Sequence, residues 1–280
     1  MFVSEVLAGM RLKLADLCLR GARRFTPRPL FDTCAGVYNR SICRLKLDPA
    51  EYRKLIKAWS ARGPGEPVEV SFRNLRFPLW IRPGTPDATE VIHSVVREAY
   101  KAYAPRADVR VIVDAGAYIG DTTAWYLSRY PLARVVALEP NPANFEMLVR
   151  NVRPYGNRAI ALPNALWPTD GTVEMTFDVG ETAGRAALNR DGGVPVTAVS
   201  PRTLMRSLNA KRIDIFKMDI EGAELILFED ARSEEWLACT RHLVMEIHAP
   251  DPLPAVRRLL SSGRFRYSRY KELHVFRAEF

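Results

Sequence analysis

Four acidic residues and one histidine stand where apolar segments end: Asp114 after Val111, Ile112 and Val113; Glu139 after Val135 to Leu138; Asp219 and Glu221 after Ile213 to Met218; and His248 two residues beyond Glu246. Carboxylates and an imidazole at such positions can bind a nucleoside and move a proton. In an open α/β sheet, ligands gather beyond the carboxyl ends of the strands, so all of these side chains are expected at one crevice. Glu139 is placed to accept hydrogen bonds from both hydroxyls of a ribose.

The glycines between the first two segments decide which nucleoside fits. A dinucleotide needs G-x-G-x-x-G, whose second glycine lets the backbone approach a pyrophosphate. Here Gly116 and Gly120 are separated by Ala117, Tyr118 and Ile119. That spacing favours S-adenosylmethionine, which has no phosphate, over NAD. Asp114, backbone groups around Gly116, Tyr118 and Gly120, and the start of the next helix would hold it. Asn164, at the end of the third strand, can hydrogen-bond an adenine, and Trp167 beside it is either a base contact or ordinary core.

The elements that must position these residues alternate in the doubly wound manner. Strands are expected near 109 to 114, 134 to 139, 158 to 163, 213 to 218, 242 to 247, 264 to 269 and 273 to 278. Helices are expected near 120 to 130, 141 to 152, 201 to 208, 221 to 230 and 252 to 262. The last two strands are joined by a short turn, so a mostly parallel sheet ends in an antiparallel hairpin, as in Rossmann-like methyltransferases. Residues 172 to 198 add a strand pair around a loop, 179 to 193, whose glycines suit a lid over substrate. Upstream, alternation over 68 to 81 predicts a β-hairpin and a helix follows over 89 to 103.

The run from Gly63 to Pro67 marks a boundary. It divides a basic helical extension, 1 to 65, from a catalytic domain, 66 to 280, whose Rossmann-like core begins near 106. The extension holds 13 Lys and Arg against 5 Asp and Glu; the remainder holds 28 against 27. A nearly neutral catalytic part argues against a polynucleotide substrate. Within 1 to 24, apolar residues at helical spacing alternate with Arg11, Lys13 and Arg20. Such a helix suits packing on the main domain, a homodimer, or peripheral contact with an anionic membrane. A second helix is expected near 48 to 61.

Cys18, Cys34, Cys43 and Cys239 are scattered, and no apolar run is long enough to span a membrane. Reduced thiols in a cytoplasmic protein are expected. No metal is expected either: a site built from Asp219, Glu246 and His248 lacks a denser ligand cluster.

These motifs together resemble the FkbM-like S-adenosylmethionine-dependent methyltransferases. The resemblance is carried by Ile81 to Asp87, Asp114 to Asp121, Leu138 to Phe145, Ala165 to Trp167, Ile213 to Glu224 and Glu246 to His248, in that order. Lys217 to Glu224 is its most specific block. Tyr118 departs from the asparagine more usual there, and residues 1 to 65 lie outside the resemblance. It implies the methyltransferase fold and methylation of a hydroxyl on a sugar, glycan, polyketide or similar small metabolite. The base removing the hydroxyl proton is then sought in the order His248, Glu221, Asp219. Arg82 and Asp87 are further candidates for cofactor contact. Three rivals remain: an NAD-dependent oxidoreductase, a nucleic-acid methyltransferase using the basic extension, and a non-catalytic cofactor-binding scaffold.

Overall fold

A computed structural model of the chain describes residues 28–105, 108–177, 193–248, 251–270 and 272–278. The amphipathic helix expected in 1 to 24 and nearly all of the loop expected as a lid lie outside these residues. The chain forms two compact units: one runs to Arg73 and resumes over Ile81–Ala99, the other comprises Asn74–Trp80 and Tyr100–Phe280. The boundary expected at residue 65 falls inside the first unit.

The first unit contains helices α1 (Arg28–Lys46) and α2 (Pro49–Trp59). Strand β1 (Val68–Val70) also lies in it, and β2 (Leu79–Ile81) ends where it resumes. The helix expected over 89 to 103 is shorter and of two kinds. An α-helical turn, α3 (Asp87–Val91), widens into a π-helical turn over Ile92–Val96, closed by Arg97 N–H donating to Ile92 O at 2.8 Å. The wider turn keeps Ile92, Val95 and Val96 buried.

The second unit is built on seven strands: β3 (Val111–Ala115), β4 (Arg134–Leu138), β5 (Ala159–Leu162), β9 (Ile213–Met218), β10 (Thr240–Met245), β11 (Phe265–Tyr270) and β12 (Leu273–Ala278). Their order is β11-β12-β10-β9-β3-β4-β5. The five strands from β5 to β10 are parallel, and β12 runs antiparallel to both of its neighbours. This is the doubly wound sheet with a terminal antiparallel hairpin expected from the sequence. Between β5 and β9, the two-residue β6 (Ala165–Leu166), β7 (Gly171–Met175) and β8 (Val194–Val199) form a separate three-stranded sheet.

Helices α4 (Asp121–Arg129), α5 (Pro142–Val152), α6 (Pro201–Ser207), α7 (Glu224–Glu229), α8 (Ser233–Ala238) and α9 (Leu253–Ser261) connect the strands. Asn141 caps α5 by accepting from Ala143 N–H and Asn144 N–H, and Ser200 caps α6 through Thr203 N–H. Every residue of β9 is buried. Phe216 from its centre packs on Trp236 with ring centroids 5.2 Å apart, inside a core that also takes in Val113, Met245 and Phe276. Polar residues in so apolar a strand must find partners. Asp214 does so by accepting from the Arg110 and Val111 N–H groups. No helix among the described residues is long and apolar enough to cross a membrane.

His242, on β10, is paired less well. Both of its ring nitrogens are buried without a hydrogen-bond partner. Burial, together with Arg241 and Arg277, lowers its pKa from 6.5 to about 4. The neutral ring is therefore favoured by folding, and this contribution is present above the unfolded value and lost as pH falls through the folded one. Urea unfolding at pH 7 and pH 4 should show a loss attributable to His242 of roughly 3 kcal/mol at most. His242→Leu should remove that part of the acid sensitivity; an unchanged difference between the two pH values would rule the histidine out as its source.

Candidate active site

The sheet changes direction of winding between β3 and β9, which stay joined by Asp219 N–H donating to Ala115 O at 3.1 Å, and at such a switch point ligands bind in the crevice beyond the strand ends. Its floor is a buried ion pair. Lys217 lies opposite Asp114 in the β3/β9 register, and its Nζ is 3.3 Å from Asp114 Oδ1 and 3.8 Å from Asp219 Oδ2. The ammonium also donates to Gly116 O at 2.6 Å and Ala115 O at 3.4 Å. Burial opposes the charge, but Asp114, Asp219 and Asp121 outweigh it and raise the lysine's pKa. Asp114 is fully buried, and its Oδ2 accepts from Thr123 Oγ1 of α4 at 2.6 Å. One carboxylate thus ties together β3, β9 and the helix that follows the glycine turn.

That turn is drawn against both neighbouring strands. Gly116 has φ +74°, and Gly116 and Ala117 both donate N–H groups to Leu138 O on β4. Tyr118 and Gly120 also adopt left-handed backbone, with φ 51° and 83°. Glu139 sits just beyond β4 and is buried; its Oε2 accepts from Tyr118 N–H and its Oε1 from Asn141 N–H, each at 2.9 Å. Burial raises its pKa to about 7 against the pull of those N–H groups. The Asn144 side chain donates a further hydrogen bond to the same carboxylate.

A second cluster stands at the ends of β9 and β10. His248 Nε2 faces Asp219 Oδ1 at 3.7 Å, Glu221 Oε2 at 3.7 Å and Glu246 Oε2 at 4.0 Å. Its other nitrogen, Nδ1, is 3.2 Å from Glu224 Oε1. Glu224 is fully buried and accepts from Ile220 N–H at 3.0 Å and Gly222 N–H at 2.9 Å. Burial alone would lower the histidine's pKa; the Glu224 hydrogen bond and the charges of Asp219 and Glu221 carry it to about 9. Glu246 is pushed up to about 7 by its own burial and by Asp219. Glu221 owes its position to left-handed backbone, φ 53°, with Gly222 following at φ 106°.

Sequence reasoning expected a helix from residue 221, but α7 starts at Glu224. The three residues gained form the tight turn that carries Glu221 towards the histidine. Of the other candidates, Asn164 is half-buried beside the three-stranded sheet and donates to Thr197 O at 3.2 Å. Arg82 and Asp87 belong to the first unit, where the Arg82 guanidinium and backbone N–H both engage the buried Asp87 carboxylate at 2.8 to 2.9 Å.

Comparison with known proteins adds the decisive observation. Residues 114–267, from the ion-paired aspartate of β3 into β11, match the methyltransferase FkbM domain. The chain belongs to the FkbM methyltransferase family. Among related proteins, methyltransferase sdnD of Sordaria araneosa is 28% identical over 195 residues, covering 56% of this chain and 74% of that protein. The hexuronic acid methyltransferase AglP of Haloferax volcanii is 27% identical over 154 residues, covering 55% of this chain and 62% of its own. A solved precorrin-6y C5,15-methyltransferase from Geobacter metallireducens superposes with a TM-score of 0.39 at 14% identity, over 66% of this chain and 87% of that one.

In this FkbM methyltransferase, two residues central to the site geometry were not singled out from the sequence. Lys217 and Glu224 both lie within the Ile213 to Glu224 block, without a role of their own there. Lysine in the middle of an otherwise apolar strand carried the signal: a cation buried on both faces demands a carboxylate partner. Glu224 had no comparable mark, since an acidic residue opening a helix reads as macrodipole neutralisation.

Proposed function

We propose that this FkbM methyltransferase uses S-adenosylmethionine to methylate a hydroxyl oxygen of a small hydroxylated metabolite or a glycan. The observation that carries the reading is the convergence, at one switch point of the sheet, of Glu139 on one side and the Asp219, Glu221 and His248 cluster on the other. The turn from Gly116 to Gly120 and Glu139 take the nucleoside, with the Glu139 carboxylate accepting from the ribose. Asp114 acts on the cofactor through the turn and Lys217. The acceptor oxygen attacks the sulfonium methyl in line; the carbon–sulfur bond breaks and leaves a neutral thioether, and the hydroxyl proton passes to the Asp219, Glu221 and His248 wall. The sulfonium already activates the methyl, so alignment of oxygen, carbon and sulfur supplies most of the acceleration. A related hexuronic acid methyltransferase and the near-neutral charge of residues 66 to 280 support a small oxygen-rich acceptor over a polynucleotide. The free thiols Cys43 and Cys239 suit the cytoplasm.

Calorimetry with S-adenosylhomocysteine, run beside NAD, tests the cofactor. Micromolar binding of the former alone is expected, and Glu139→Ala should weaken it by roughly ten- to a hundredfold, the worth of hydrogen bonds to a charged group. Binding of NAD, or of neither compound, would overturn the reading; unchanged affinity in Glu139→Ala would remove that residue from the site.

A further inference from the structure

We infer that Asp219, Glu221 and His248 form a binding site for a divalent first-row cation, of the manganese or zinc class, at the acceptor side of the crevice. Their ligand atoms all lie within 4.8 Å of one another. Density of negative charge is not the argument.

The first observation is spacing. The separations of 3.7 Å from His248 Nε2 to Asp219 Oδ1 and Glu221 Oε2 are too long for hydrogen bonds. Donor atoms around a single ion with bonds of about 2.1 Å stand roughly 3.0 to 3.5 Å apart, so a cation placed between them needs only small inward rotations of the side chains.

The second is the histidine's orientation. Glu224 Oε1 holds Nδ1 and is itself locked by two backbone N–H groups, so the hydrogen bond turns Nε2 towards the carboxylates, where an arriving cation would displace its proton. A buried carboxylate behind a histidine is the outer shell that fixes the tautomer of metal-binding imidazoles. One nitrogen with two carboxylates suits manganese or zinc better than calcium, which takes oxygen alone. Three protein ligands leave positions open for water or for two adjacent oxygens of an acceptor. Such a cation selects acceptors with neighbouring oxygen groups.

The catalytic use of this cation rests on the methyl-transfer reading above, but its binding can be measured separately. The full chain, stripped with chelator, would be titrated with Mn²⁺ while free Mn²⁺ is followed by electron paramagnetic resonance, and with Zn²⁺ by calorimetry. One equivalent is expected to bind. His248→Gln and Glu221→Gln should each weaken it at least tenfold, and Glu224→Gln by about ten- to a hundredfold through the histidine's orientation. Circular dichroism checks that each variant is folded, and the conservative pair Glu221→Gln and Glu221→Asp serves where His248→Gln is not. No saturable binding of either ion, or equal binding by every folded variant, would overturn the inference. S-adenosylhomocysteine binding measured on the same samples separates the two readings: cofactor bound without cation defeats the cation site alone, whereas cation bound without cofactor defeats the cofactor reading and leaves the site standing.

Discussion

Replacing Lys217 with methionine will destabilise the protein by about 3 to 5 kcal/mol, the usual consequence of removing one member of a buried ion pair. The lysine and Asp114 side chains are only 4% and 0% exposed, so water cannot replace the missing charge. The carboxylate would be left buried with Thr123 as its hydrogen-bonding neighbour, and the carbonyls of Ala115 and Gly116 would lose their donor. Urea denaturation of the single variant and of Lys217→Met combined with Asp114→Asn decides the point. The double variant should recover a large part of the loss, because a neutral amide is tolerated where a lone carboxylate is not. Equal losses in the single and double variants would mean that the pair is not coupled and that lysine packing alone matters.

Gly116→Ala should be at least as damaging, for a steric reason. A methyl group at Gly116 would stand 1.7 Å from the carbonyl oxygen of Asp219 and 2.8 Å from its carbon. Neither is the end of a flexible side chain, so β3 and the segment after β9 must separate, breaking the bond from Asp219 N–H to Ala115 O. Strain from φ +74° adds to the clash. The expected loss is about 3 kcal/mol or more, combining left-handed strain with overpacking, and S-adenosylhomocysteine binding should disappear. Gly156 provides the internal comparison: it has φ +63° but nothing within 4 Å of an added methyl. Its ψ of −140° lies outside the left-handed helical region, so Gly156→Ala should lose only the backbone part, about 1 to 3 kcal/mol, and keep its ligand. Similar losses at the two positions would show that conformation, not the approach of Asp219, makes Gly116 indispensable.

Both effects belong to a part of the molecule that its sequence describes well. Strands buried on both faces announce themselves as apolar runs, so the positions of β3, β4, β9 and the β11/β12 hairpin were legible to within a residue or two. Glycine spacing located the turn, and the ends of the strands located Asp114, Glu139, Asp219 and His248. Less legible were features set by backbone geometry or by distant partners. The π-helical turn over Ile92–Val96 keeps the apolar phase of an ordinary helix, so its pattern resembled a longer α-helix. Helix α1 was not anticipated, and the six-residue α8 is too short to show a period. The role of Glu224 depends on a histidine 24 positions away and on a turn made by Glu221 and Gly222 in left-handed conformations, which spacing does not encode.

The place of β12 bears on how the chain is made. It is the last of the seven strands to leave the ribosome, yet it lies inside the sheet, hydrogen-bonded to β10 on one side and β11 on the other. Until it emerges, β10 is a bare edge bearing Leu243, Val244 and Met245, all buried in the finished protein. An exposed apolar edge is a template for pairing with another chain. A nascent or truncated chain that stops short of Leu273 is therefore the species most prone to aggregate, and the final hairpin closes the sheet against its own neighbours in the polysome.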